Sequence, residues 1–298
     1  DYDLMSGYWR RGVDDDQREK QYQYLLQRGY VLFANIAVHR RLQTSSFLMG
    51  IYQGARQASR DWSLSAIRGE MENFVSEIAM LEFEAEDTRE EKHRSLYKAH
   101  QQQMSALFNY IFTSRMWTEG VGKNFTDLLL SPTVDNIDQQ LIVSAIMLSL
   151  MNQFDIVKFR LLTDVYRQSQ DEHVRQRALV GWVFSLDRNV GLVYPEQKEI
   201  IDSLLTSEAI CQELTELQIQ LILTLNAEKD NDIIQREIMP NLMNNDAFHI
   251  TRNGIEEKEE DTLEDILHPD AAERRMEKLE ASMQRVIDMQ KEGVEVYF

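Results

Sequence analysis

The sequence predicts an all-α protein built from antiparallel helix hairpins stacked one on the next. Three observations carry this. Glycine and proline are scarce, 12 and 4 in 298 residues, too few for the turns of a β-sandwich or barrel of this length. Apolar residues recur at three- and four-residue steps along most of the chain, the period of a helix with one face in a core. Short polar segments separate the helical stretches, and short turns force neighbouring helices antiparallel.

Taken in order, residues 1–13 mix aromatic and basic side chains: Tyr2, Tyr8, Trp9, Arg10 and Arg11. Asp14-Asp15-Asp16 reads as a helix start, because acids suit the positive end of the helix dipole. Gly29 reads as a break, and Val31–Leu42 as a second helix. Thr44-Ser45-Ser46 caps a third, running from Phe47 to about Ala58. Asp61 opens a fourth, whose Leu64, Ile67, Met71, Phe74, Ile78 and Leu81 form a one-sided stripe. A capping box from Thr88 to Glu91 starts a long fifth helix that reaches about Trp117 and ends at Gly120-Val121-Gly122.

From about residue 124 the pattern becomes more regular. Ile137–Asn152, Phe154–Gln168 and Asp171–Leu186 are helical, Pro195 opens another helix, and Glu213–Asn226 with Asp230–Met243 forms a third pair. The turns are Gln168-Ser169-Gln170, Asp187-Arg188-Asn189 and Asn226-Ala227-Glu228. Apolar helices fall near residues 141, 174 and 214, steps in the range of helical-repeat periods. Asn253-Gly254 is turn-like and Glu256–Asp261 is an acidic run. Pro269 begins a last helix, with Met276, Leu279, Met283, Val286 and Gln290 along one seam.

These divisions give four regions: 1–123, an N-terminal helical region with long helices; 124–245, helical repeats; 246–268, an acidic loop; and 269–298, a C-terminal helix continuing into further chain. Whether the first region belongs to the same repeat series stays open.

Within the second region, Asp171, Val174, Arg175 and Ala178 form a D-x-x-V-R-x-x-A pattern. Asp171 suits a helix start, and Val174 and Ala178 lie one turn apart on one face. This resembles the second-half signature of HEAT repeats, over residues 130–245. The preceding unit keeps Asp138 and Ala145 but has Ile142 in place of Arg. The resemblance implies a HEAT-like α-solenoid, akin to tetratricopeptide packing, with Asp and Arg bonded between adjacent repeats.

A formal net charge of −18 repels phosphates and anionic lipid, so neither nucleic acid nor a membrane is expected as partner. The single Cys211 cannot form an internal disulfide and suits a cytoplasmic location. No G-x-G-x-x-G, H-E-x-x-H or C-x-x-C occurs, so no catalytic residue and no cofactor is assigned. Glu90 and His93 have the i, i+3 spacing used by di-iron bundles, but the second set of ligands is lacking, and a solvated helix start explains them more simply.

The function expected is a non-catalytic protein-protein interaction scaffold that binds a protein or peptide. Trp9, Arg10, Arg11, Lys158, Arg160 and Tyr166 are its candidate contacts, being aromatic and basic and placed at the N-terminus or on an expected inner helix. The alternatives are a metal-binding bundle or enzyme centred on residues 60–117, and a structural spacer in a larger protein.

Overall fold

A computed structural model describes residues 2–12, 17–57, 60–83, 86–238, 248–251 and 254–257. Asp14-Asp15-Asp16, most of the acidic run and the predicted helix from Pro269 lie outside the described residues. Eleven α-helices occur among the described residues: α1 Tyr2–Arg10, α2 Arg18–Thr44, α3 Ser46–Gln57, α4 Leu64–Leu81, α5 Glu86–Phe112, α6 Glu119–Leu129, α7 Asn136–Asn152, α8 Ile156–Gln168, α9 Glu172–Phe184, α10 Glu196–Leu204 and α11 Glu208–Ile233. None is long and apolar enough to cross a membrane. The chain divides into two units, 1–207 and 208–298.

In the first unit, α2 pairs with α3, α4 with α5, α6 with α7 and α8 with α9, and alternate helices also touch. α3 packs on α5, α5 on α7 and α7 on α9, while α4 packs on α6 and α6 on α8. Oxygen side chains start most of these helices. Ser63, Thr118, Asp135, Asp155 and Asp171 each accept a bond from a backbone N–H of the first turn, satisfying donors that a helix start leaves open. The core runs from Ile67, Met71 and Phe74 through Leu107 and Ile111 to Ile142, Ile146, Phe159, Leu162, Val174 and Trp182. Between α3, α4 and α5, Arg56 lies over the rings of Tyr52 and Tyr110, Trp62 stacks on Tyr110 at 4.2 Å, and Arg60 lies over Trp62 and pairs with Glu70.

Several boundaries differ from the sequence reading. Gly29 does not break a helix; α2 runs through it. A helix-interior glycine costs only about 1 kcal/mol, which the anchoring of α2 offsets. Thr88 lies inside α5, so it is not a cap there. Gly120 and Gly122 sit inside α6 rather than ending α5, which stops at Phe112. Gly122 is required by packing: a Cβ there would run into Cγ1 of Val157.

In the second unit, the turn expected at Asn226-Ala227-Glu228 is absent. α11 continues through it to a π-helical turn at Ile234–Ile238, so the third hairpin does not form. The segment holds no Gly or Pro, and Ala and Glu favour helix. Within the predicted acidic loop, Phe248–Thr251 (β1) and Gly254–Glu257 (β2) pair antiparallel, with Thr251 opposite Gly254. The all-helical expectation therefore has this small exception, flanking the Asn253-Gly254 turn signal.

Candidate interaction surface

The six candidate contacts do not come together. Trp9, Arg10 and Arg11 are exposed on and just after α1, with Arg11 over the Tyr8 ring at 4.9 Å. Arg160 is partly exposed and pairs with Glu119 at 2.7 Å and Glu196 at 3.5 Å. Lys158 and Tyr166 are only 2% exposed, which corrects their assignment: neither side chain can meet a partner in this structure. α8 was expected to line an inner surface, but nine of its residues, Ile156–Phe159, Leu161–Thr163, Val165 and Tyr166, are buried. It is enclosed by α6, α7 and α9.

Lys158 instead belongs to a buried polar cluster. Its Nζ donates to Ser149 Oγ at 2.9 Å, Ser114 Oγ at 3.0 Å and the Arg115 carbonyl at 3.2 Å. It lies 3.7 Å from Asp155 Oδ2 and 5.1 Å from the centre of the Trp117 ring. Asp155 is itself fully buried and accepts from the backbone N–H of Val157 and of Trp117. Burial pushes the ammonium pKa down from 10.5 to about 8, against the pull of Asp155. The cluster ties the loop before α6 to the start of α8.

A second buried pair joins α5 to α7. His100 Nε2 lies 2.9 Å from the Asp138 carboxylate, and its ring stacks on Phe74 with centroids 3.5 Å apart. Burial raises the Asp138 pKa, with His100 pulling the other way. The spacing of His93 and His100 gave no hint of this, since the partner sits on another helix. Glu90 and His93 are exposed, and no cluster of three or more His, Cys, Asp or Glu suited to a metal occurs among the described residues.

The repeat-motif residues divide the same way. Val174 and Ala178 are buried, and Asp171 caps α9 while accepting from Asn136 Nδ2 of α7 at 2.7 Å. Arg175 pairs with Glu172 of its own helix at 3.2 Å and lies over the Tyr166 ring. An open groove of about 510 Å³ lies between α3 and α5, lined by Gly50, Gly54, Gln101, Gln102, Ser105 and Asn109 among others.

The sequence reading missed the role of α2. Its inner face carries Gln23, Gln27, Tyr30, Asn35 and Arg41, each bonded to a distant connector or, for Arg41, to the last residue of α7. Gln23 and Gln27 donate to the Val193 carbonyl, between α9 and α10. Tyr30 donates to the Phe154 carbonyl at 3.1 Å and accepts from Gln153, between α7 and α8. Asn35 accepts from the Met116 N–H at 3.0 Å, between α5 and α6, and Arg41 donates to the Asn152 carbonyl. These polar residues satisfy loop backbone groups that would otherwise be covered unpaired. The signal in the sequence was amide and hydroxyl side chains at helical spacing within an apolar helix.

The chain matches no family model, no curated protein and no solved structure.

Proposed function

We propose that this chain is a non-catalytic protein-binding scaffold of helical-repeat type, its first unit a HEAT-like α-solenoid. The observation that carries the reading is the packing of alternate helices: α3, α5, α7 and α9 in one series, α4, α6 and α8 in the other. Two rows of helices, each touching the next of its own row, are how hairpins stack in a solenoid. The bonds of α2 fit the same arrangement. From Gln23 to Asn35 is about 18 Å of helix at ~1.5 Å per residue, the span of two steps of ~9 Å between packed helices. Over that length α2 meets three successive connectors.

Stacked arrays offer long surfaces suited to protein or peptide partners. Trp9, Arg10 and Arg11 are the exposed members of the expected contact set, with Arg160 partly exposed. A photo-crosslinking amino acid at Trp9 or Phe33, illuminated in the native cell, is expected to give adducts with a discrete second protein. Adducts at neither position, while the same probe reacts elsewhere on the chain, would contradict a scaffold role.

A further inference from the structure

The outward side of α2 is apolar and uncovered. Tyr22, Leu32, Phe33 and Ile36 are 50%, 60%, 71% and 53% exposed. With half-buried Leu25 and Gly29 between them, they step by three and four residues along one side. The opposite side holds Ala34, Val38 and Leu42 in the core. Rotating α2 to hide the outer stripe would tear its bonds from the connectors, so the exposure is fixed by the fold. A large exposed apolar patch on a folded protein marks an interaction site.

Charge says what fits it. In a chain of net charge −18, α2 carries five cations, Arg18, Lys20, Arg28, Arg40 and Arg41, against one acid, Glu19. Arg40 follows Ile36 by one turn on the same side and Arg28 precedes Leu32 by one turn; both are exposed. A second copy would set basic rim against basic rim, and an anionic lipid surface would meet the acidic remainder of the chain.

We infer that the outer face of α2 docks an acidic amphipathic helix of a partner protein. The stripe from Tyr22 to Ile36 is about 21 Å long, which receives about four turns of such a helix, its leucine-like side chains on Leu32, Phe33 and Ile36 and its carboxylates by Arg28 and Arg40. This is the helix-in-groove mode in shallow form, with charge setting partner choice. The inference rests on the scaffold reading and names its surface.

The test uses the full chain and a labelled synthetic peptide of about 20 residues with leucine at helical a/d/e spacing and glutamate elsewhere. Fluorescence anisotropy is expected to show saturable binding that weakens with salt. Phe33→Glu with Ile36→Glu is expected to weaken it about tenfold or more with the far-ultraviolet spectrum unchanged. Arg28→Glu with Arg40→Glu is expected to shift preference to the matching lysine peptide.

No binding, equal binding of the lysine peptide by the wild-type chain, or binding that survives Phe33→Glu/Ile36→Glu would overturn the inference. So would a wild-type dimer in sedimentation that those substitutions disperse, or binding to phosphatidylserine vesicles that they abolish. Any of these with the adducts at Trp9 intact removes this face and leaves the scaffold standing.

Discussion

α2 and α7 both carry apolar residues on more than one side, yet the fold treats those residues differently. Apolar helix surface is normally turned to a core. α7 largely follows this: α5, α6, α8 and α9 pack on it, and Ile142, Val143, Ala145, Ile146 and Leu150 are buried, while Ile137 and Met151 at its two ends are exposed. α2 buries only Ala34, Val38 and Leu42, binds connector backbones through amides and a phenol, and leaves Leu32, Phe33 and Ile36 in solvent. One helix puts most of its apolar residues into the core and the other holds a stripe of them outward. The difference marks where the chain stabilises itself and where it has surface to offer.

The contrast can be broken by truncating matched side chains. Phe159→Ala, in the enclosed region, should cost about 3–5 kcal/mol, whereas Phe33→Ala on α2 should change stability by less than about 0.5 kcal/mol; urea denaturation of both decides. Equal losses would mean that Phe33 is covered after all.

Next in size is the buried cation of the enclosed region. Because the folded Lys158 pKa is about 8 against 10.5 for the free side chain, the unfolded chain takes up a proton between those values that the folded chain refuses. Stability should therefore rise with pH across that window, by about 3 kcal/mol in all. Lys158→Met should lack this rise. Denaturation of both proteins at several pH values from 7.5 to 10.5 checks it, and identical slopes would show that Lys158 stays charged in the fold.

Glycines sharpen the comparison further. Gly122→Ala should lose about 1–3 kcal/mol by overpacking against Val157. Gly29→Ala should gain about 0.5–1 kcal/mol from helix propensity, since a Cβ there meets nothing within 4 Å. Thermal melts that move the same way for both would contradict the packing described.

The smallest effect concerns His100–Asp138. A carboxyl with a raised native pKa contributes stability while protonated and loses it as pH climbs from 3.8 through the folded value. Asp138→Asn should remove that dependence while changing stability near neutrality by about 1 kcal/mol or less. A large loss at neutral pH would show that the charge itself holds α5 to α7.

Much of the first unit was legible because apolar period and polar caps agreed there. α3, α4, α7, α8 and α9 start and stop close to the predicted positions; Ser45 and Asp171 cap where they were expected, and Asp135 and Asp155 are caps that the sequence reading had not assigned. The failures have two causes. Gly29, Gly120 and Gly122 were read as punctuation, but local propensity yields when tertiary contacts hold the helix; Asn226 was read as a turn although its neighbours favour helix. Lys158, Tyr166 and the inner face of α2 were misjudged because a polar side chain was taken to face solvent. Partners such as Ser114, Met116 and Val193 lie far away in sequence, and only the fold brings them near.

The stacked arrangement itself is tested most directly by native-state hydrogen exchange on the full chain carrying Ile67→Ala. In an array where each helix pair leans only on its neighbours, protection should fall in α4 and α5 and persist in α8 and α9. An equal fall across all of these helices would mean one closed cooperative core, and the repeat scaffold would be wrong.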